Sequence, residues 1–461
     1  METDQGLEAG SANGPTVSSH GDESEDIPSL VVLAAYGGLA FPLAAAFIGL
    51  QVIVPTFYAQ VLGLSLSAVG GILLAARLWD LFTDPAVGYL SDRTPAAFGR
   101  RKSWVVASSP LIALAVWALF NPPADADNRF LLLATLGIYI AGTMSIVPLN
   151  AWGAELSGAY HQRSRISGSR VVFGLAGTMV ALLLVDNTSN DTLAQSLFAI
   201  TLLVFIGLAV SVPIAALLVP DRGVVKRNEG ELRNAIKLLI RPSLFRRLLF
   251  AFFLNGLANS IPATLFLLYV TQVLERPGIA GPMLFLYFIC SALSVPFWVR
   301  VAKATSKHRA WSIAVIGSCC FFAGAPFLGS GDVIPYAVIV VGTGLMIGAD
   351  LALPHAINAD LIDWDAYENG QRRPGLFFAL WGTAAKLGSA LSVGLVFPLL
   401  DVVGFDATAQ NLPEDVRVLA LLYAAPALLF KTIAIALMWN FPLDSSEHAR
   451  IREALEASGS S

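Results

Sequence analysis

Twelve stretches of the chain stay apolar for about the length of a membrane crossing: 30–58, 66–91, 103–121, 130–152, 166–186, 193–219, 246–273, 281–302, 310–329, 333–357, 375–400 and 417–441. Roughly twenty apolar residues wound as α-helix span the hydrocarbon core of a bilayer, so the pattern predicts twelve transmembrane helices and an all-α membrane protein. The longest internal polar break, "PDRGVVKRNEGELRNAIKLLIRPSLFRR" from Pro220 to Arg247, follows the sixth run and divides the chain six and six. Within it Ile236, Leu239 and Ile240 recur at helical spacing among Arg233, Lys237 and Arg241, which predicts a short helix on the membrane surface.

The two halves echo one another. "DPAVGYLSDRTPAAFGRRKSW" joins the second and third runs, and "SVPFWVRVAKATSKHRAW" joins the eighth and ninth. Both set a proline late in a helix, a basic turn at its end and a tryptophan (Trp104, Trp311) where the next run starts. Parallel halves of this kind are the internal repeat of major-facilitator transporters. The expected fold is therefore the major facilitator fold: two six-helix bundles, 29–220 and 246–441, joined by a linker at 221–245 and flanked by tails at 1–28 and 442–461. Small residues in "YGGLAFPLAAAFIGL" and "LGSALSVGLVF" allow close helix approach, and Pro42, Pro55, Pro85, Pro148 and Pro354 each remove an intrahelical donor.

Charge sharpens this plan. Only 13% of the 461 residues are charged, against 56% hydrophobic. The first 28 residues hold seven acids and neither Lys nor Arg, unlike a secretory signal, and read as a disordered tail. Without those seven charges the formal net charge of −4 becomes +3, so the acidity belongs to the tail, and no nucleic-acid footprint remains. Of the 29 Lys and Arg residues, 22 fall on the side of the termini, three on the other side (Arg129, Arg276, Arg417) and four within runs. Basic loops stay in the cytoplasm, which predicts a cytoplasmic-membrane protein with both termini inside. Cys290, Cys319 and Cys320 sit in apolar runs and the five histidines are dispersed, so neither a disulfide framework nor a metal site is expected.

The charges within runs, acidic as well as basic, hold the candidate chemistry. In "RLWDLFTDPAVGYLSDR" the residues Arg77, Asp80 and Asp84 share one helix face, the two acids about 6 Å apart along the axis. Each such charge at mid-bilayer costs on the order of 3 kcal/mol. Pro85 leaves the Leu81 carbonyl without its amide partner, and carboxylates with a free carbonyl suit a hard cation. A plain Arg77–Asp80 ion pair is the competing reading, and it leaves Asp84 unneutralised. Lys386, deep in "FFALWGTAAKLGSALSVG", is placed to compensate the carboxylates when no cation is bound. A proton serves equally as coupling ion, because burial raises a carboxylate pKa. Asp350 is expected to line a cavity; Trp381 either offers it a stacking surface or simply packs, and Lys431 either forms an intramembrane pair or partly snorkels. At the termini side, Asp92, Arg93, Arg100 and Arg101 face the acid-rich "DLIDWDAYENGQRR", with Asp360, Asp363 and Arg372, as an expected salt-bridged gate between bundles.

These residues resemble the glycoside-pentoside-hexuronide cation symporters, the melibiose-permease-like branch of the major facilitator superfamily. The similarity lies in "YGGLAF", "ARLWDLFTDPAVGYLSDRTPAAFGRRKSW", "VPLNAWGAEL", "RSRISGSRVVFGLAG" and "NADLIDWDAYENGQRRPGLFFALWGTAAKLGSAL", and covers about Tyr36 to Trp439. It implies a cation site at Asp80 and Asp84, with Thr143 and Lys386 beside it, and a solute contact at Arg170. Where sugar-transporting members have an Asp in the first span this chain has Ala44; where they have stacking tryptophans it has Asn150 and Leu351; a further cation-site Asp appears as Ile146. The expectation is a cation-coupled symporter, sodium or proton, of a sugar, glycoside or related organic solute, with an amphipathic solute such as a lysolipid or steroid-like compound as the alternative. Arg77, Arg170, Asn150, Asp350 and Trp381 form the expected solute-binding set. No cofactor is expected; the partners are a small-molecule solute and membrane lipid, and the protein is expected to act as a monomer. A membrane-embedded enzyme would need a nucleophile and base beside the carboxylates, and the sequence has none there.

Overall fold

The computed structural model describes residues 29–94, 99–156, 160–185, 189–221, 244–369, 374–407 and 411–457. The expected tail at 1–28, the surface helix of the linker and Arg372 lie outside the described residues. All twelve expected spans are helices: α1 (Leu30–Gln60), α2 (Leu66–Arg93), α3 (Arg100–Phe120), α4 (Asn128–Glu155), α5 (Tyr160–Leu183), α6 (Asn190–Leu218), α7 (Leu244–Val273), α8 (Ala280–Ala304), α9 (Lys307–Phe322), α10 (Val333–Asn369), α11 (Pro374–Val402) and α12 (Pro413–Met438). Several begin where a side-chain oxygen takes a free backbone N–H, as Ser65 does for α2, Asp127 for α4, Ser189 for α6 and Ser306 for α9.

Two boundaries differ from the sequence pattern. Helix α10 continues three turns past the expected end at 357, because Leu361 and Ile362 extend its buried stripe into the charged segment. The C-terminal segment forms a further helix, α13 (Ser445–Ala457), anchored by buried Ile451. The equivalent helices α1 and α7 each contain a π-helical turn, Gly49–Ile53 and Tyr269–Val273. Such wide turns are uncommon and concentrate near functional sites.

Glycine sets how closely the spans approach. A methyl added at Gly177 of α5 would lie 2.2 Å from the Phe41 carbonyl oxygen, so α1 and α5 touch through backbone. Between the bundles, Gly70 of α2 meets Phe397 and the Val393 carbonyl of α11, and Gly281 of α8 meets the Leu182 carbonyl of α5 and the Val185 carbonyl just past its end. All these inter-bundle contacts fall near the end away from the termini. The buried core follows the same division. One cluster runs through the first bundle and continues into the far halves of α7, α11 and α12, with Leu265, Phe397 and Ala424 among its members. A second, with Phe245, Trp311, Leu353 and Trp381, is confined to the termini-side half of the second bundle. The bundles thus share a core at the far end and keep separate cores at the near end.

Candidate functional site

On α2 the four-residue spacing puts Asp80 and Asp84 on the face that meets α4 and α11. Gly394 lies against Leu74, and Gly70 against Phe397, which brings α11 near enough for Lys386 to reach across the bundle interface. Its ammonium donates to Asp80 Oδ2 at 3.3 Å and also pairs with Asp84 Oδ2. From α4 the Thr143 hydroxyl faces Asp80 Oδ1 at 3.0 Å and Asp84 Oδ1 at 3.1 Å. Asp80 is buried, whereas Asp84 and Lys386 each keep 30% of the side chain exposed, so solvent reaches one edge of the cluster. Two carboxylates and a hydroxyl offer hard oxygen ligands around a point already occupied by a positive group.

Arg77 stands apart from this cluster. It makes no ion pair with Asp80; its guanidinium lies over the Tyr139 ring, 4.9 Å from the centroid. Tyr139 and Thr143 are one helical turn apart on α4, so one face of that helix serves the arginine and the carboxylates in turn. Immediately toward the far end lies a cavity between the bundles, walled by Gln51 of α1, Arg77, Tyr139, Ser260 and Thr264 of α7, and Ser389 of α11.

The remaining expected residues fall elsewhere. Arg170 lies beside the Tyr36 hydroxyl, which itself donates to the Leu149 carbonyl at 3.0 Å. Asn150 is exposed near the foot of α4. Asp350 corrects an expectation: it is held inside the second bundle, where Asn255 and Asn259 each donate to its Oδ2 at 2.9 Å and the Trp311 indole donates to Oδ1. Lys431, 4% exposed, completes this group by donating to Asn259 Oδ1 at 2.7 Å and Asn255 Oδ1 at 3.4 Å. Two amides thus bridge a half-buried carboxylate and a buried ammonium. Trp381 is likewise a packing residue rather than an open platform: it is 3% exposed and stacks on Phe252 at 3.7 Å between centroids, with His355 at its edge.

The expected gate also takes another form. Arg100 and Arg101 pair with Glu155 at 2.7 and 3.0 Å, and Asp221 accepts the backbone N–H groups of Arg101 and Lys102. Arg93 lies over the Tyr89 ring. In the second bundle Asp360 pairs with Lys307 at 2.6 Å and with His448 at 3.5 Å, and His448 also reaches Asp363 at 3.3 Å. These pairs join helices within one bundle, because Glu155 and Lys307 stand on neighbouring helix ends of the same half. The Asp92 side chain, like Arg372, lies outside the described residues.

Sequence reading missed Asn255, Asn259 and Trp311 as partners of Asp350, and Tyr139 as the partner of Arg77. The signal was present in "FFLNGLANSIP", where two amides four residues apart interrupt an apolar run.

Residues 34–445 match the family model described as MFS/sugar transport protein. Among curated relatives, the chain is 21% identical over 429 residues to sodium-dependent lysophosphatidylcholine symporter 1 of Gallus gallus, covering 84% of this chain and 81% of the relative. It is 24% identical over 420 residues to the inner membrane symporter YicJ of Escherichia coli (strain K12), covering 87% and 89%. The solved structure of the nucleoside transporter NupG superposes with a TM-score of 0.66 at 12% identity, over 89% of this chain and 98% of that one. With a family match that runs from the first span to beyond the last, the chain belongs to the MFS/sugar transport protein family, in the glycoside-pentoside-hexuronide-like branch of the major facilitator superfamily.

Proposed function

We propose that this protein is a secondary active transporter that couples the movement of sodium or a proton to that of an organic solute across the cytoplasmic membrane, with both termini in the cytoplasm. The observation that carries the reading is that Lys386 of one bundle is held by Asp80 and Asp84 of the other. A cation entering between the carboxylates competes with that ammonium, so cation occupancy and the contact between bundles are thermodynamically linked. The shared core at the far end and the solvent-exposed edge at Asp84 fit a state open toward the termini side. The preponderance of Lys and Arg on that side favours its cytoplasmic placement.

A sugar or glycoside is one solute class. An amphipathic solute is the other, favoured by Ala44 and by Leu351, 53% exposed, at positions where polar or stacking groups would serve a sugar. The lysophosphatidylcholine symporters among its relatives accord with that class. No cofactor enters either reading, and a single chain contains the whole site.

The test is solute flux in proteoliposomes with imposed sodium and proton gradients, one at a time. One gradient should drive uphill uptake in the parent, and Asp84→Asn should abolish it while leaving some downhill exchange. Undiminished accumulation by Asp84→Asn would refute the coupling role.

A further inference from the structure

Arg77 balances the second carboxylate of the cluster in charge but forms no ion pair with either one. The two carboxylates nearest to it along α2 are occupied by Lys386 and Thr143. Its own contact is the face of Tyr139, which steadies a cation without neutralising it. A guanidinium does not lose its proton in a protein, and its planar fork matches an oxyanion group. The side chain is half-buried and borders the cavity, whose wall around it includes the apolar Leu50, Leu73 and Val393.

Building on the symport reading, we infer that the solute is a monovalent organic anion, its carboxylate- or phosphate-type group held by Arg77 and its less polar body lying along the cavity wall. The charge balance gives the physical reason. Asp80, Asp84, Lys386 and Arg77 sum to zero with the site empty. A bound sodium or proton adds one positive charge in a medium of low dielectric, and a solute with one negative charge restores neutrality. Cation binding then favours anion binding and the reverse, which is the reciprocity that symport requires. One cation and one such solute also cross without moving net charge.

The experiment measures binding of four matched probes to the purified full chain in sodium: phenylacetate, phenyl phosphate, the neutral phenylacetamide and the cationic phenethylammonium. Millimolar concentrations suffice for a contact of this strength to register. At least one anion should bind tighter than the amide by about tenfold or more, the worth of a hydrogen bond to a charged group, and the ammonium should not bind. Whether phenylacetate or phenyl phosphate binds more tightly identifies the oxyanion. Arg77→Gln should erase the difference between anion and amide. Equal binding of amide and anions, no response to either anion, or a preference that survives in Arg77→Gln and vanishes in Arg170→Gln each overturns the assignment. Sodium binding is measured separately in parent and Asp84→Asn without any probe. Proton release on sodium binding and the pH dependence of the site are read in the same two proteins, so that either coupling ion registers. If sodium or proton binding depends on Asp84 while the anions fail, this inference falls and symport stands; if neither does, the symport reading itself falls.

Discussion

At Thr143 one hydroxyl faces two carboxylate oxygens with a single proton to give. It can donate to Asp80 or Asp84 at any moment, and its lone pairs remain available to a cation between them. Thr143→Val keeps the shape and removes the oxygen. The expected result is a loss of cation affinity on the order of tenfold, from about 1–2 kcal/mol for the lost polar contact, with Thr143→Ser close to the parent. The cation-concentration dependence of binding or uptake measures both. An unchanged Thr143→Val would show that the hydroxyl only orients the carboxylates.

Among elements, the α1–α5 and α7–α10 contacts show two ways of holding helices together in lipid. Between α1 and α5, Gly177 lets backbone meet backbone, so Gly177→Ala has no room for its methyl. Overpacking of this kind costs about 1–3 kcal/mol, and a lower unfolding temperature in detergent is expected, whereas Gly256→Ala, with open space around the added carbon, should be tolerated. The α7–α10–α12 contact is polar, built on Asp350, the two asparagines and Lys431. Asp350→Asn leaves Lys431 buried without its countercharge, a loss of about 3–5 kcal/mol. Adding Lys431→Met should recover part of the lost thermal stability. If the double variant melts no higher than Asp350→Asn, the two residues are not electrostatically coupled.

For the whole molecule, the two cores define the motion available. The bundles are fused by apolar packing at the far end and linked at mid-depth by Lys386, while at the near end the Arg100–Glu155 and Lys307–Asp360 pairs each lie within one half. Rocking about the proposed cation site would exchange which end is fused, at the cost of breaking the Gly70 and Gly281 contacts. Orientation is tested by labelling single cysteines in cells: Arg450→Cys, on α13, should react only after the membrane is permeabilised, and Glu414→Cys, at the far end of α12, should react from outside. Both positions are solvent-exposed, so accessibility reports sidedness. Reversed labelling would place the termini outside.

The twelve spans, the division into six and six and the coincidence of Asp80 with Asp84 were legible in the sequence, because they depend on apolar length and on helical spacing along one segment. Even the candidacy of Lys386 was legible, since a charge that deep needs a counterpart. The counterpart of each charge was decided only by tertiary structure. Asp350 was expected at a cavity wall, and its bridge to Lys431 of α12 exists because α7 presents Asn255 and Asn259 between them. Arg77 and Asp80 are three residues apart, a spacing that allows a pair, yet α11 supplies a better-placed cation and α4 a ring, and the pair does not form. Arg100 and Arg101 meet Glu155, and Asp360 meets Lys307, for the same reason. Periodicity fixes which face of a helix a residue occupies; the neighbour opposite that face comes from chain tens to hundreds of residues away, and its distance exists only once the helices have packed.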